Sequence, residues 1–130
     1  MKVLKPILLF IFCLLFFREV QCQEILSTLP TSLKNGNANA IAKNFDKRVD
    51  ITIDDNADNY SSTQAEVILK GFLHKFSSRD FTLVHKGNSN DAAQYAIGNL
   101  KTNAGSYRTY IFIKKTNNTN YIQEIRFEKE

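Results

Sequence analysis

Cysteine is almost missing from this chain, and where it occurs it is badly placed to hold a fold together. Cys13 and Cys22 are the only thiols in 130 residues, and Cys13 lies inside an apolar run. If the chain is cut after Cys22, as argued next, nothing downstream can form a disulfide, a zinc–thiolate site or a thiolate nucleophile. Histidine is nearly as scarce, with His74 and His85 alone. Clustered basic charge is missing too, since no Lys/Arg block exceeds a pair such as Lys47–Arg48 or Lys114–Lys115. A nucleic-acid footprint needs a concentrated basic face, so no nucleic-acid partner is expected. Asp54, Asp55 and Asp58 bring carboxylates together, but without the glycine and distal glutamate of a calcium loop. Neither a metal nor a cofactor is expected.

Long apolar runs are limited to one, Ile7–Phe17. Lys2 and Lys5 precede it, and Arg18, Glu19 and Gln21 end it before a helix could span a bilayer. The pattern is that of a secretory signal peptide. Val20 and Cys22 occupy the small-residue positions of a cleavage site, which makes residues 1–22 the leader and Gln23 the mature N-terminus. Acylation of Cys22 as a lipoprotein is disfavoured, because Glu19 and Gln21 stand where an apolar and a small residue are wanted. The protein is therefore expected to be exported, periplasmic or secreted, with no membrane span left after cleavage. Without Lys2, Lys5, Arg18 and Glu19 the formal charge falls from +4 to +2. Residues 23–130 suffice for one domain with a core and not for two.

Along that domain, Ile25, Leu26, Leu29 and Leu33 form a helical stripe, with Pro30 tolerable only near a first turn. Asn35–Gly36–Asn37 is a helix stop. Ala38–Phe45 reads as a second short helix, Val49–Ile53 as a strand, and the acidic DDNADN after it as a loop. The strongest helix follows, capped by Ser61 or Thr63. It carries Ala65, Ile68, Leu69, Phe72, Leu73 and Phe76 on one face. Gly71 lowers its propensity and marks a possible close crossing. Four strands come next: Phe81–Lys86, Tyr95–Thr102, Tyr107–Lys115 and Tyr121–Glu128, separated by Gly- and Asn-rich turns. Helices and a strand followed by an antiparallel meander predict an α+β fold, with helices gathered on one face of a curved, mainly antiparallel sheet.

FDKRVDITIDD, YSSTQAEVILKGFL, FTLVHKG, QYAIGNLKTNAGSYRTYIF and YIQEIRFEK carry a resemblance over essentially the whole mature chain. In order and phrasing they resemble the nuclear transport factor 2-like superfamily, the cystatin-like cone fold. Within it they are similar to a family of small exported bacterial proteins known as domain of unknown function 4783. The resemblance implies a cone-shaped α+β domain and supplies no activity. The superfamily houses enzymes, binders of small apolar ligands and dimerisation modules, so fold alone leaves function open.

Cone-fold enzymes imply acid–base chemistry inside the cone. His74 falls on the solvated flank of the long helix. His85 shares strand parity with Phe81 and Leu83, so an imidazole there could face inward and act as a base. The competing reading makes it a rim residue, because no carboxylate is evidently placed to orient it.

YRTYIFIKK raises a different question. Tyr107, Thr109, Ile111 and Ile113 alternate with Arg108, Tyr110 and Phe112, so both faces are oily, and Tyr95 and Ile97 on the preceding strand add to this. A half-exposed strand should be oily on one face only. Apolar patches left outside a fold mark association sites. The expectation is an exported, non-enzymatic binding or interaction module. It would dimerise through the sheet face and could take a small apolar ligand; the alternative is a small hydratase or isomerase using His85. Phe81, Leu83, His85, Tyr95, Ile97, Tyr107, Tyr110, Ile111 and Phe112 are the candidate pocket or interface residues. Gly98 is expected to let the central strand bend or a helix approach closely.

Overall fold

A computed structural model describes the backbone of residues 20–90 and 92–130, with side chains from Ile25 onward apart from residues 90 and 91. The apolar run Ile7–Phe17 and its flanking basic residues lie outside the described residues. No helix among the described residues is long and apolar enough to cross a membrane.

Helix α1 spans Val20–Lys34. Ile25, Leu29 and Leu33 recur every four residues and are 4, 3 and 0% exposed, which anchors one face in the core. The helix runs through Pro30 rather than starting near it. Proline deletes one helical hydrogen bond, and the buried leucines on either side hold the continuation in place. Gly36 ends the element at φ +67°. Its amide donates to Leu33 and that of Asn37 to Ser32, the paired bonds of a glycine-stopped helix. Asn37 then caps α2, Ala38–Ala42, by accepting from the Ala40 amide at 3.1 Å.

Strand β1, Phe45–Ile53, turns at Asp54–Asp55 into β2, Asn56–Ser61. The expected DDNADN loop is thus only a tight turn followed by a strand. Its first four residues are all exposed, so no apolar alternation betrays it. Helix α3, Ser62–Lys75, starts where the Ser61 hydroxyl accepts from the Gln64 amide at 3.3 Å. Its buried residues are Ala65, Leu69, Phe72 and Leu73, the face expected from spacing, while His74 is exposed. Gly71 is not at a crossing: a Cβ there would meet nothing within 4 Å.

Four longer strands complete the chain: β3 Ser78–Asn90, β4 Ala93–Thr102, β5 Gly105–Thr116 and β6 Thr119–Lys129. The six strands form one sheet in the order β2-β1-β6-β5-β4-β3. All pairs are antiparallel except β1 with β6, so the first strand closes against the last and the sheet is mixed. Helix α1 lies chiefly on β3 and α3 on β1 and β2, while α2 bridges the two helices. This is the expected α+β cone.

The cone is filled by its own side chains. The Phe72 ring stands 4.4 Å from Phe127 and 5.2 Å, edge-on, from Tyr107. Leu69, Leu100, Ile111, Ile122, Ile125 and Phe127 around them are fully buried. Gly98 is needed for close approach, although the neighbour is not a helix. The Phe81 ring of the adjacent strand lies across it, and a Cβ would fall 2.2 Å from that ring and 2.7 Å from the Thr82 carbonyl. The two oily faces of β5 are now distinct. Tyr107, Thr109, Ile111 and Ile113 are buried beneath the helices, and Arg108, Tyr110 and Phe112 point the other way.

Candidate functional site

Two surfaces carry chemistry, one on each side of the sheet. The first is the outer face, opposite the helices. His85 belongs to it, against the expectation that it shares the direction of Phe81 and Leu83. The pairing of β3 with β4 shifts between Leu83 and His85, which leaves Val84 as an extra residue at 69% exposure. A bulge of one residue reverses every later side chain. His85 therefore pairs with Ile97, whose side chain alternates with the buried Ala96 and Gly98.

Its ring lies 3.2 Å from the Tyr95 hydroxyl, in an exposed contact. Tyr95 stacks near Tyr110, centroids 6.3 Å apart and planes 24° from parallel. The Arg126 guanidinium sits 5.3 Å from the Tyr110 ring centre and is ion-paired with Glu124 at 2.6 Å. His85, Tyr95, Tyr110 and Arg126 thus form a row across β3, β4, β5 and β6. Ile97 and Phe112 occupy the neighbouring outward positions, opposite Tyr110 and Tyr95 respectively. Tyr95 also covers Gly87, where a Cβ would come within 2.7 Å of its hydroxyl.

The nine candidate residues therefore divide. His85, Tyr95, Ile97, Tyr110 and Phe112 gather on the outer face. Phe81, Tyr107 and Ile111 are core, at 6, 2 and 0% exposure, and Leu83 packs against that core.

The second surface was not anticipated. Between the β1–β2 hairpin and α3 lies an open groove of about 810 Å³. Its floor includes Ile53, Ile68, Phe72 and Phe76, and its hairpin rim brings Asp54, Asp55 and Asp58. Asp54 is fixed at φ +52°. Its amide donates to the Phe127 carbonyl at 2.8 Å, and its carboxylate accepts from the Lys129 amide at 2.9 Å. Asp58 accepts from the Asn59 amide at 2.8 Å. Burial, and then the Asp54 charge, push the Tyr107 phenol above its ordinary range. The one cation in the lining, Lys75, lies 5.4 Å from the centre of the Phe76 ring. A smaller hollow of about 430 Å³ adjoins along α3, sharing Asp58, Tyr60, Val67 and Ile68. Gly71, read from the sequence as a close crossing, instead borders this open space. Among the described residues no group of three or more His, Cys, Asp or Glu side chains converges as a metal site.

Comparison with known proteins agrees with this architecture. A DUF4783 family protein from Bacteroides uniformis, known from its crystal structure, is 26% identical. It superposes with a TM-score of 0.76 over 80% of this chain and 95% of its own. A DUF4783 family protein from Bacteroides ovatus is also 26% identical, with a TM-score of 0.75 over 78% and 92% of the two chains. A protein of unknown function with a cystatin-like fold from Nostoc punctiforme is 11% identical. Its TM-score is 0.65 over 86% of this chain and 90% of its own, a likeness of fold alone. No curated protein matches this chain. The model of the domain of unknown function DUF4783 matches residues 26–128, every described strand and helix save the first turns of α1 and the last residue of β6, and the chain belongs to that family.

Proposed function

We propose that this chain is an exported, non-enzymatic binding module that pairs with a second copy through the outer face of its sheet. The observation that carries the reading is the set of large side chains on the face that no helix covers. Tyr95, Ile97, Tyr110 and Phe112 are only partly exposed there, packed on one another across β4 and β5. Aromatic residues are enriched in the centres of protein interfaces, and an apolar patch with a polar rim is the usual form of such a surface. Asp50, Glu124, Arg126 and Glu128 supply that rim on the β1–β6 side, in register beside the aromatic centre.

The hydratase or isomerase reading rested on His85 facing into the cone. General acid–base catalysis needs a base in hydrogen-bond reach of a held substrate, in a site that limits water. His85 instead contacts Tyr95 at an exposed position, and the cone interior is packed with Phe72, Tyr107 and Phe127. These observations favour binding over catalysis. The test is the oligomeric state of wild type beside Phe112→Lys. A charge in the middle of the face should yield a folded monomer, whereas a wild type that is already monomeric at high concentration would remove the proposal.

A further inference from the structure

A glycine in the middle of a helix raises the free energy of that helix by about 1 kcal/mol relative to alanine. Such a residue normally answers a need for left-handed backbone or for close packing. Gly71 answers neither. Its φ is helical, and a Cβ built on it meets no atom within 4 Å. What the missing side chain leaves is space, and that space is part of the groove between α3 and the β1–β2 hairpin. Gly71 stands between Val67 and Lys75 on the same stripe of the helix, and Val67 is 64% exposed. Any larger residue at 71 would reach into the trough and divide it.

We propose that this groove binds a small molecule with an elongated apolar body and a cationic head, and that Gly71 is the notch that admits the body. The apolar part lies along Ile68, Phe72 and Phe76, from Val67 to Phe76. At about 1.5 Å per residue that run is about 14 Å long. The head is placed by charge. Three carboxylates, Asp54, Asp55 and Asp58, face the groove from the hairpin, against one ammonium, Lys75, which lies by the Phe76 ring. Asp54 and Asp58 already accept backbone amides at 2.9 and 2.8 Å, which fixes their direction while leaving lone pairs for a ligand. An anionic amphiphile would meet the same carboxylates with its own charge. The ring of Tyr60, half-buried against the core near the rim, adds an aromatic face suited to an ammonium group. This inference rests on the reading of the chain as a binding module. It does not depend on pairing of the outer sheet faces, which lie on the other side of the molecule.

The test uses the purified exported protein and decyltrimethylammonium, kept below its micelle threshold, with decanoate and decyl maltoside as matched anionic and neutral probes. Titration calorimetry gives affinity, and amide chemical shifts give location. The cation should bind about tenfold or more tightly than decanoate, with shifts confined to residues 53–60 and 67–76. Gly71→Leu should remain folded and weaken binding at least tenfold. Asp55→Asn and Asp58→Asn should each weaken it about two- to fivefold, an effect that added salt removes. Equal binding of the three probes, no binding, or full binding by Gly71→Leu would each overturn the proposal. So would a change in molecular mass on Gly71→Leu, because the groove would then hold a second copy. A monomeric wild type that still binds the cation would refute the sheet-face pairing and leave this site standing.

Discussion

Replacing Phe72 by alanine removes a ring that is 4% exposed and touches three others, at centroid distances of 4.4 Å to Phe127, 5.2 Å to Tyr107 and 5.3 Å to Phe76. Truncating a buried phenylalanine costs about 3–5 kcal/mol. Each aromatic pair adds a further loss of about 0.5–1.5 kcal/mol that is only partly independent of the first. One feature pulls the other way: Phe72 also lines the open groove, so the void is continuous with solvent and water can enter it. The expected loss is therefore about 3 kcal/mol, at the lower end of the range. The adjacent residue should respond with the opposite sign. Gly71→Ala adds a Cβ that meets nothing and should stabilise the helix by about 0.5–1 kcal/mol. His74→Ala, on the exposed flank, should change stability by less than about 0.5 kcal/mol. Urea titration followed by circular dichroism measures all three, with the denaturant slope as a check on the unfolded state. A Phe72→Ala loss equal to that of His74→Ala would mean that α3 is rotated away from the assigned face.

Three further outcomes are expected. Gly98→Ala should destabilise by about 1–3 kcal/mol, because the Phe81 ring has to move and the Thr82 carbonyl, 2.7 Å from the new Cβ, can hardly do so; a neutral effect in the same titration would show that β3 and β4 are less closely paired. Tyr107 holds its proton more tightly folded than unfolded, so its contribution to stability is complete below about pH 10, its unfolded value, and is lost as pH rises through the raised folded value. Thermal unfolding scanned across that window should show an alkaline decline that Tyr107→Phe reduces, and an identical decline in the variant would contradict the assignment. N-terminal sequencing of the exported protein should begin at Gln23 without lipid, and an acylated Cys22 would overturn the expected cleavage after that residue.

The legible parts of this fold were those in which burial leaves a periodic trace. Helix α3 repeats its apolar residues at three and four, and β5 alternates, so both were placed from pattern alone. Strand β2 left no trace. It is an edge strand whose side chains are mostly exposed, and hydrogen bonding to β1 needs no particular side chain. The direction of His85 was lost for a sharper reason. Parity counts residues, and the extra residue at Val84 breaks the count where no glycine or proline announces it. Pro30 misled in the opposite way, since tertiary burial of Leu29 and Leu33 outweighed a local preference. Which face of β5 lay outward was undecidable from alternation, because Tyr107 and Tyr110 are equally oily. The groove depends on the hairpin meeting α3 across the chain, and the glycine beside it, Gly71, pointed instead to a close crossing that is not there.

Sedimentation equilibrium on the mature protein bears most directly on the central claim that the outer sheet face is an association surface. Wild type should approach twice the monomer mass as concentration rises. Phe112→Lys should stay monomeric with its melting transition nearly unchanged. Ile111→Lys, its inward neighbour at 0% exposure, should unfold instead, because a lone buried charge is strongly destabilising. A wild type that remains monomeric throughout, or a Phe112→Lys variant that still dimerises, would contradict the account.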